Sequence, residues 1–130
     1  MTTDNTQHDE TDAEDEVGVR TAATLIERDD VILLDVREDD EWNAGHAPDA
    51  RHVPLGTVDS SAPSAGAWQA DIPDGTTILT VCRSGRRSAR GAQILRSAGW
   101  TVRNVNGGME AWAQAGLPVE DSRGQAGTIA

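Results

Sequence analysis

The only cysteine of this 130-residue chain lies in a stretch whose residue types favour thiol chemistry. A thiol reacts as its thiolate, and a helix N-terminus or nearby arginine side chains lower the pKa of a cysteine. An apolar run, residues 77–81, leads into the stretch, and an amphipathic run, residues 88–98, follows it. This order predicts a strand, a tight loop and the start of a helix, an arrangement that can hold a thiolate and an anionic substrate. The loop residues are Cys82, Arg83, Ser84, Gly85, Arg86, Arg87 and Ser88.

Positive charge is concentrated around this cysteine. Four of the 11 basic residues fall within eight positions, namely Arg83, Arg86, Arg87 and Arg90. Ser88 is predicted to cap the following helix, so that free backbone N–H groups and the positive end of the helix dipole face the sulfur. Gly85 lets the backbone curl without a Cβ clash. A lone cysteine is often an inert packing residue, but the glycine and arginine setting favours a reactive thiolate here.

Strand and helix patterns alternate along the part of the chain that positions this loop. Apolar or β-branched runs predict strands near residues 17–19, 31–36, 51–55, 76–81 and 100–105. Helical spacing predicts helices at residues 21–27, 38–44 and 88–98 and a further helix that holds Met109 and Trp112. Such alternation implies an α/β fold with a parallel sheet covered by helices on both faces. Asp35 and Arg37 then lie at the carboxyl end of a strand, where open α/β sheets bind their ligands.

The ends of the chain differ in composition from its middle. Residues 1–16 hold seven acids and no base, so we expect them to form a disordered acidic tail. Residues 121–130 are predicted to be a loose C-terminal tail, which leaves residues 17–120 as one domain. The whole chain carries 22 acids against 11 arginines, for a net charge of −11. Without the first tail, 15 acids and 11 bases remain, a charge of −4.

This charge excludes several classes of partner. Strong acidity argues against general binding to nucleic acids or to anionic membranes. The chain contains no lysine, and acidity without lysine is typical of proteins from salt-loving microbes, so a halophilic origin is a hypothesis.

One cysteine rules out an intramolecular disulfide. With no membrane-length apolar run and no signal-peptide pattern, a cytoplasmic location is expected.

Three motifs resemble the rhodanese (sulfurtransferase) family, and they occur in that family's order over roughly residues 17–120. The cysteine loop resembles the family's Cys-Arg-x-Gly-x-Arg-Ser active loop. Four stretches together resemble the family's upstream signature, namely Leu34-Asp35-Val36-Arg37-Glu38, Glu41-Trp42, Gly45-His46-Ala47-Pro48 and Ala50-Arg51-His52-Val53-Pro54-Leu55. A downstream signature is resembled by Asn104-Val105-Asn106-Gly107-Gly108-Met109-Glu110-Ala111-Trp112. The resemblance implies one compact rhodanese-like domain.

The resemblance also implies an activity, that of a single-domain sulfurtransferase. Cys82 would take the sulfane sulfur from a small anionic donor such as thiosulfate and carry it as a persulfide. An acceptor thiol, on a small molecule or a protein, or cyanide in an assay, would then remove it. The loop from Arg83 to Ser88 would bind the donor and the persulfide, and no cofactor is required. In the family, the aspartate that matches Asp35 lies close to the active loop, so we expect Asp35, supported by Arg37, to pair with Arg83.

Other readings of the same residues remain open. A cysteine-loop phosphatase needs an arginine six positions after the cysteine to clamp phosphate, but that position is Ser88, and Arg87 comes one residue early. A non-catalytic interaction module of the same fold is a second alternative, although such modules often lose the cysteine. A persulfide relay to a specific protein would use the same chemistry. A metal site at His46 and His52 is not expected, because no cysteine or third histidine is near.

Overall fold

A single parallel sheet of five strands forms the centre of the computed structural model, which describes residues 15–58 and 68–130. The strands are β1 (Glu16–Val17), β2 (Val31–Asp35), β3 (Arg51–His52), β4 (Thr77–Val81) and β5 (Thr101–Val105). Their order across the sheet is β1-β5-β4-β2-β3, and every pairing is parallel. The strand that precedes the cysteine, β4, therefore lies in the middle of the sheet.

Helices cover both faces of this sheet. They are α1 (Val19–Leu25), α2 (Asp39–Ala44), α3 (Leu55–Val58), α4 (Arg86–Ser97) and α5 (Gly108–Gln114), with a 3-10 turn at Trp68–Asp71. Successive strand side chains point to opposite faces, so Leu33 and Leu79 pack with Trp112 on the side of α1 and α5. Leu34 and Ile78 pack on the other side, with α3 and α4. The predicted α/β fold with a parallel sheet between helices is confirmed.

The start of α4 differs from the prediction. Gly85 is the N-cap, at φ 110°, and the helix begins at Arg86, two residues earlier than expected. Ser88 is therefore inside the first turn and is not the N-cap, so that prediction was wrong. The physical reason is the left-handed backbone conformation of Gly85, which turns the chain sharply enough to start the helix directly behind the cysteine. The hydroxyl of Ser88 is thereby free to contact the sulfur.

The structure describes only residues 15 and 16 of the first predicted tail and all of the second. Residues 1–14 lie outside the described residues, and Glu16 belongs to β1, so the sheet begins slightly earlier than expected. The C-terminal residues were predicted to be loose, yet Thr128 N–H donates to the Ala44 carbonyl at 2.9 Å and Gly127 N–H to the Val119 carbonyl at 2.9 Å. Ile129 packs against the core beside α1 and α5. Backbone hydrogen bonds and one apolar side chain hold this segment against α2.

Candidate active site

The loop between β4 and α4 closes around the sulfur of Cys82. The residue is only 1% exposed. Its Sγ accepts a hydrogen bond from the Gly85 backbone N–H at 3.1 Å and another from the Ser88 hydroxyl at 3.3 Å. Because a thiolate is a stronger acceptor than a thiol, both donors favour the charged form of the sulfur. Of the predicted loop residues, Gly85 and Ser88 thus contact the sulfur directly.

The balance of burial and hydrogen bonding sets the pKa of this cysteine. Burial alone raises the pKa of Cys82. The Ser88 hydroxyl and the backbone N–H groups of Ser88, Gly85 and Ser84 outweigh burial and bring the pKa below that of an ordinary cysteine. A lowered pKa increases the thiolate fraction at neutral pH and so makes Cys82 a better nucleophile.

Two buried polar residues at the strand ends hold the loop in place. Thr80, in β4, donates its hydroxyl to the Ser88 carbonyl at 2.9 Å. Asn104, in β5, donates its side-chain N–H to the Gly85 carbonyl at 3.1 Å. Neither residue was predicted to have a role at the site, although a polar side chain inside a buried strand is a signal for such an anchor, because a buried polar group needs a partner.

The first turn of α5 supports the loop from behind. Met109 N–H donates to the Cys82 carbonyl at 2.7 Å, and Glu110 N–H donates to the Arg83 carbonyl at 2.9 Å. Gly108, at φ 61°, lies so close that a Cβ atom there would be 2.5 Å from the Cys82 carbonyl oxygen. The glycine of the downstream motif therefore has a physical role, which is to let α5 approach the cysteine loop.

The loop arginines have different surroundings. Arg87 forms a two-pronged ion pair with Glu41 of α2, at 2.7 and 2.8 Å. Hydrogen bonding from Arg87 lowers the pKa of Glu41 to about 2, against the opposing effect of burial. Arg83 points outward and pairs with Glu110 at 3.3 Å, and Arg86 is exposed. Glu41 was part of the resembling motif but had been given no role at the site.

Asp35 and Arg37 form a buried ion pair with each other. Both side chains are completely buried, and the Arg37 guanidinium contacts the carboxylate at 2.7 Å and the Gly45 carbonyl at 2.6 Å. The predicted pairing of Asp35 with Arg83 was wrong. Arg37 is only two residues away at the same strand end and takes the carboxylate, whereas the Arg83 side chain is half exposed and paired with Glu110. Asp35 and Arg37 therefore stabilise the strand end beneath α2.

The sequence model of the rhodanese-like domain family matches residues 19–115 of this chain. The chain belongs to the rhodanese-like family. Among its relatives is an uncharacterised Synechocystis protein that is 38% identical over 103 residues, which are 78% of this chain and 54% of that protein. Thiosulfate sulfurtransferase GlpE of Vibrio cholerae is 32% identical over 107 residues, 82% of this chain and 94% of that enzyme. This chain thus spans about half the length of the first relative and nearly all of the second.

The fold of this rhodanese-like chain is also found in solved structures. A crystal structure of a Bacillus halodurans protein superimposes with a TM-score of 0.71 at 20% identity, covering 85% of this chain and 80% of that one.

In residues 15–58 and 68–130, no group of three histidine, cysteine or acidic side chains converges as a metal site. Over the same ranges, no helix has the length and apolarity that crossing a membrane requires.

The local geometry defines what the site can do chemically. N–H and O–H donors that contact the sulfur favour its thiolate form. The position six residues after the cysteine holds Ser88, whose hydroxyl bonds Sγ. The arginine one position earlier, Arg87, pairs with Glu41. A small anionic atom on the sulfur suits this cradle better than a tetrahedral phosphate, which needs a free guanidinium clamp.

Proposed function

We propose that this rhodanese-like protein is a sulfurtransferase that moves a sulfane sulfur through a persulfide on Cys82. The observation that carries the proposal is the buried sulfur, surrounded by hydrogen-bond donors that lower the pKa of the thiol. Family membership and a relative named as a thiosulfate sulfurtransferase support it. The expected setting is a reducing compartment such as the cytoplasm, because the single cysteine must stay reduced.

The first half-reaction loads the cysteine. The Cys82 thiolate attacks the outer sulfur of thiosulfate, a new S–S bond forms, and the original S–S bond breaks. Sulfite leaves with the electron pair of the broken bond. The terminal sulfur of the persulfide is anionic, and the donors that solvate the thiolate in the free enzyme, the N–H groups of the loop, stabilise it as an oxyanion hole stabilises an alkoxide. The exposed Arg83 and Arg86 at the mouth of the loop attract the anionic donor.

The second half-reaction unloads the cysteine. The thiolate of an acceptor attacks the terminal sulfur, the S–S bond to Cys82 breaks, and Cys82 leaves as the thiolate it was before. Because this is the only cysteine of the chain, no internal thiol competes for the sulfur. The persulfide therefore waits for an acceptor from outside, which is a small thiol, cyanide in an assay or a sulfur-accepting protein.

Mass spectrometry of the intact protein tests the proposal. Treatment with thiosulfate in the absence of acceptor should add the mass of one sulfur atom on the peptide that contains Cys82, and cyanide or excess thiol should remove it. A donor panel of thiosulfate, mercaptopyruvate and an aryl phosphate, scored for release of sulfite, pyruvate and phosphate, identifies the donor. Cys82→Ser, which is nearly isosteric, is the matched control and should give no adduct. Wild-type protein that no sulfur donor modifies would refute the proposal and favour a non-catalytic interaction module.

A further inference from the structure

Two arginines of the cysteine loop pair with carboxylates from different helices, and the two pairs are built differently. The Arg87–Glu41 pair joins α4 to α2 across 46 positions of sequence through two hydrogen bonds. The side chain of Glu41 is only 15% exposed. The Arg83–Glu110 pair makes one contact of 3.3 Å, and its side chains are 51% and 43% exposed. Only the Arg87–Glu41 pair is buried enough from solvent to hold a defined geometry and to interact strongly with neighbouring charged groups.

The Glu41 side chain is itself held in place. Its Oε1 atom also accepts the Glu38 backbone N–H at 3.0 Å, as one half of the capping box that begins α2. The charge of the buried Arg37 also favours the ionised form of the Glu41 carboxylate. Glu41 therefore has a fixed position from which it orients the Arg87 guanidinium.

Arg87 lies in the first turn of α4, one residue before Ser88, whose hydroxyl donates to the Sγ atom of Cys82. The charges that act on the Arg87 guanidinium are those of Glu41, of the Cys82 thiolate and of Glu38, and each favours its protonated form. An arginine so placed would be expected to bind the anionic donor. Its Nη1 and Nη2 atoms both donate to the Glu41 carboxylate, however, so most of the Arg87 charge is already cancelled before a donor arrives.

We propose that Glu41 is a positioning residue of the sulfur-transfer site, which fixes the Arg87 guanidinium at the start of α4 and cancels its charge, so that the loop N–H groups and Arg86 bind the anionic donor. The inference rests on the function proposed above and makes it more specific. A free arginine beside the sulfur would hold the donor, the departing sulfite and the persulfide alike, and binding the ground state as tightly as the transition state does not raise kcat.

The proposal predicts a pattern across two single variants and their combination. Glu41→Gln removes the negative charge and leaves Arg87 unbalanced, so the pKa of the Cys82 thiol should fall. Arg87→Gln leaves the Glu41 carboxylate unbalanced near the sulfur, so the same pKa should rise. The double variant is neutral again and should return close to the wild type. If the Arg87–Glu41 pair had only a structural role, both single variants would loosen the loop and shift the pKa of Cys82 in the same direction.

The pH dependence of Cys82 alkylation by iodoacetamide measures these shifts without any sulfur donor. The midpoint of the profile should move to lower pH in Glu41→Gln and to higher pH in Arg87→Gln. Glu110→Gln, which removes the exposed partner of Arg83, is the matched control and should leave the midpoint nearly unchanged. Urea unfolding of each variant reports whether it is folded. If Arg87→Gln fails to fold, Glu41→Gln alone decides, since a midpoint that stays or rises there overturns the proposal.

Steady-state kinetics with thiosulfate add a second readout. The KM for thiosulfate should fall about threefold or more in Glu41→Gln and rise by a similar factor in Arg87→Gln, with partial cancellation in the double variant. Opposite midpoint shifts that cancel, in a protein that transfers no sulfur, would support the role of Glu41 and refute the proposed function. Active sulfur transfer together with midpoint shifts in the same direction, or with no recovery in the double variant, would refute the role of Glu41 alone.

Discussion

The closest backbone approach at the site makes a specific prediction for Gly108. An alanine there would place its Cβ atom 2.5 Å from the Cys82 carbonyl oxygen and 2.6 Å from the carbonyl carbon and oxygen of Arg83. Ordinary contacts begin near 3.4 Å, so either α5 or the cysteine loop must move by close to 1 Å. Both sides of the contact are backbone, and no side chain can rotate away to relieve it.

Two costs of this substitution can be separated. A residue with a Cβ atom at a left-handed φ loses about 1–2 kcal/mol relative to glycine. Overpacking adds about 1–3 kcal/mol, and the displacement also weakens the hydrogen bonds from Met109 and Glu110 to the loop. We therefore expect Gly108→Ala to lower the free energy of unfolding by about 2–5 kcal/mol. Gly116, at φ 77° with nothing within 4 Å, has only the first cost, so Gly116→Ala should lose about 1–2 kcal/mol.

Urea unfolding and Cys82 alkylation together test this reasoning. Unfolding gives the two free-energy losses, and the pH profile of alkylation shows whether the hydrogen-bond donors around the sulfur have moved. Gly108→Ala should shift the midpoint of that profile upward, because a displaced loop solvates the thiolate less well, while Gly116→Ala should leave it unchanged. Equal losses of stability in the two variants, or an unaltered alkylation profile in folded Gly108→Ala, would refute the role assigned to this contact.

Three further predictions follow from the polar contacts. Asp35→Asn strands the buried Arg37 charge and should cost about 3–5 kcal/mol of global stability in urea unfolding; a loss below 1 kcal/mol would contradict this. Ser88→Ala removes a donor to the sulfur and should raise the pKa of Cys82, slowing alkylation below the profile midpoint about tenfold; an unchanged rate would exclude that role. Because Glu41 has a folded pKa of about 2, below its ordinary 4.5, its contribution is complete above pH 4.5 and is lost as pH falls toward 2. Acid unfolding over this window should remove about 1–2 kcal/mol more from the wild type than from Glu41→Gln, a moderate value because the arginine partner is partly exposed.

The features that the sequence predicts correctly are local ones. The strands β2 and β4 are apolar runs typical of buried strands. Their alternation with helical patterns predicts a parallel sheet. The cysteine loop is equally local, since its members occupy seven consecutive positions and two of them, Gly85 and Ser88, donate hydrogen bonds to the sulfur. For such features, the spacing along the chain already fixes the spacing in the fold.

The features that the sequence does not predict depend on distant partners or on competition between partners. Nothing in the spacing of Glu41 and Arg87 indicates that 46 intervening residues bring them into contact. Asp35 was predicted to pair with Arg83, but Arg37, which is nearer in sequence, binds the carboxylate because both side chains leave the same strand end. The C-terminal residues carry few apolar side chains, so the backbone hydrogen bonds that hold them to α2 have no sequence signature.

The origin of the thiolate's stability is where the structure changes the physical account most. The sequence places positive charge beside Cys82, which suggests that arginines lower its pKa. In the structure, one of these arginines is neutralised by Glu41, and another points outward to Glu110. The donors that lower the pKa are the hydroxyl of Ser88 and N–H groups of the loop. In the proposed sulfur transfer, uncharged donors with fixed positions would stabilise the thiolate without holding the departing sulfite as a free cation would. A site that must load and unload the same sulfur atom gains from that difference.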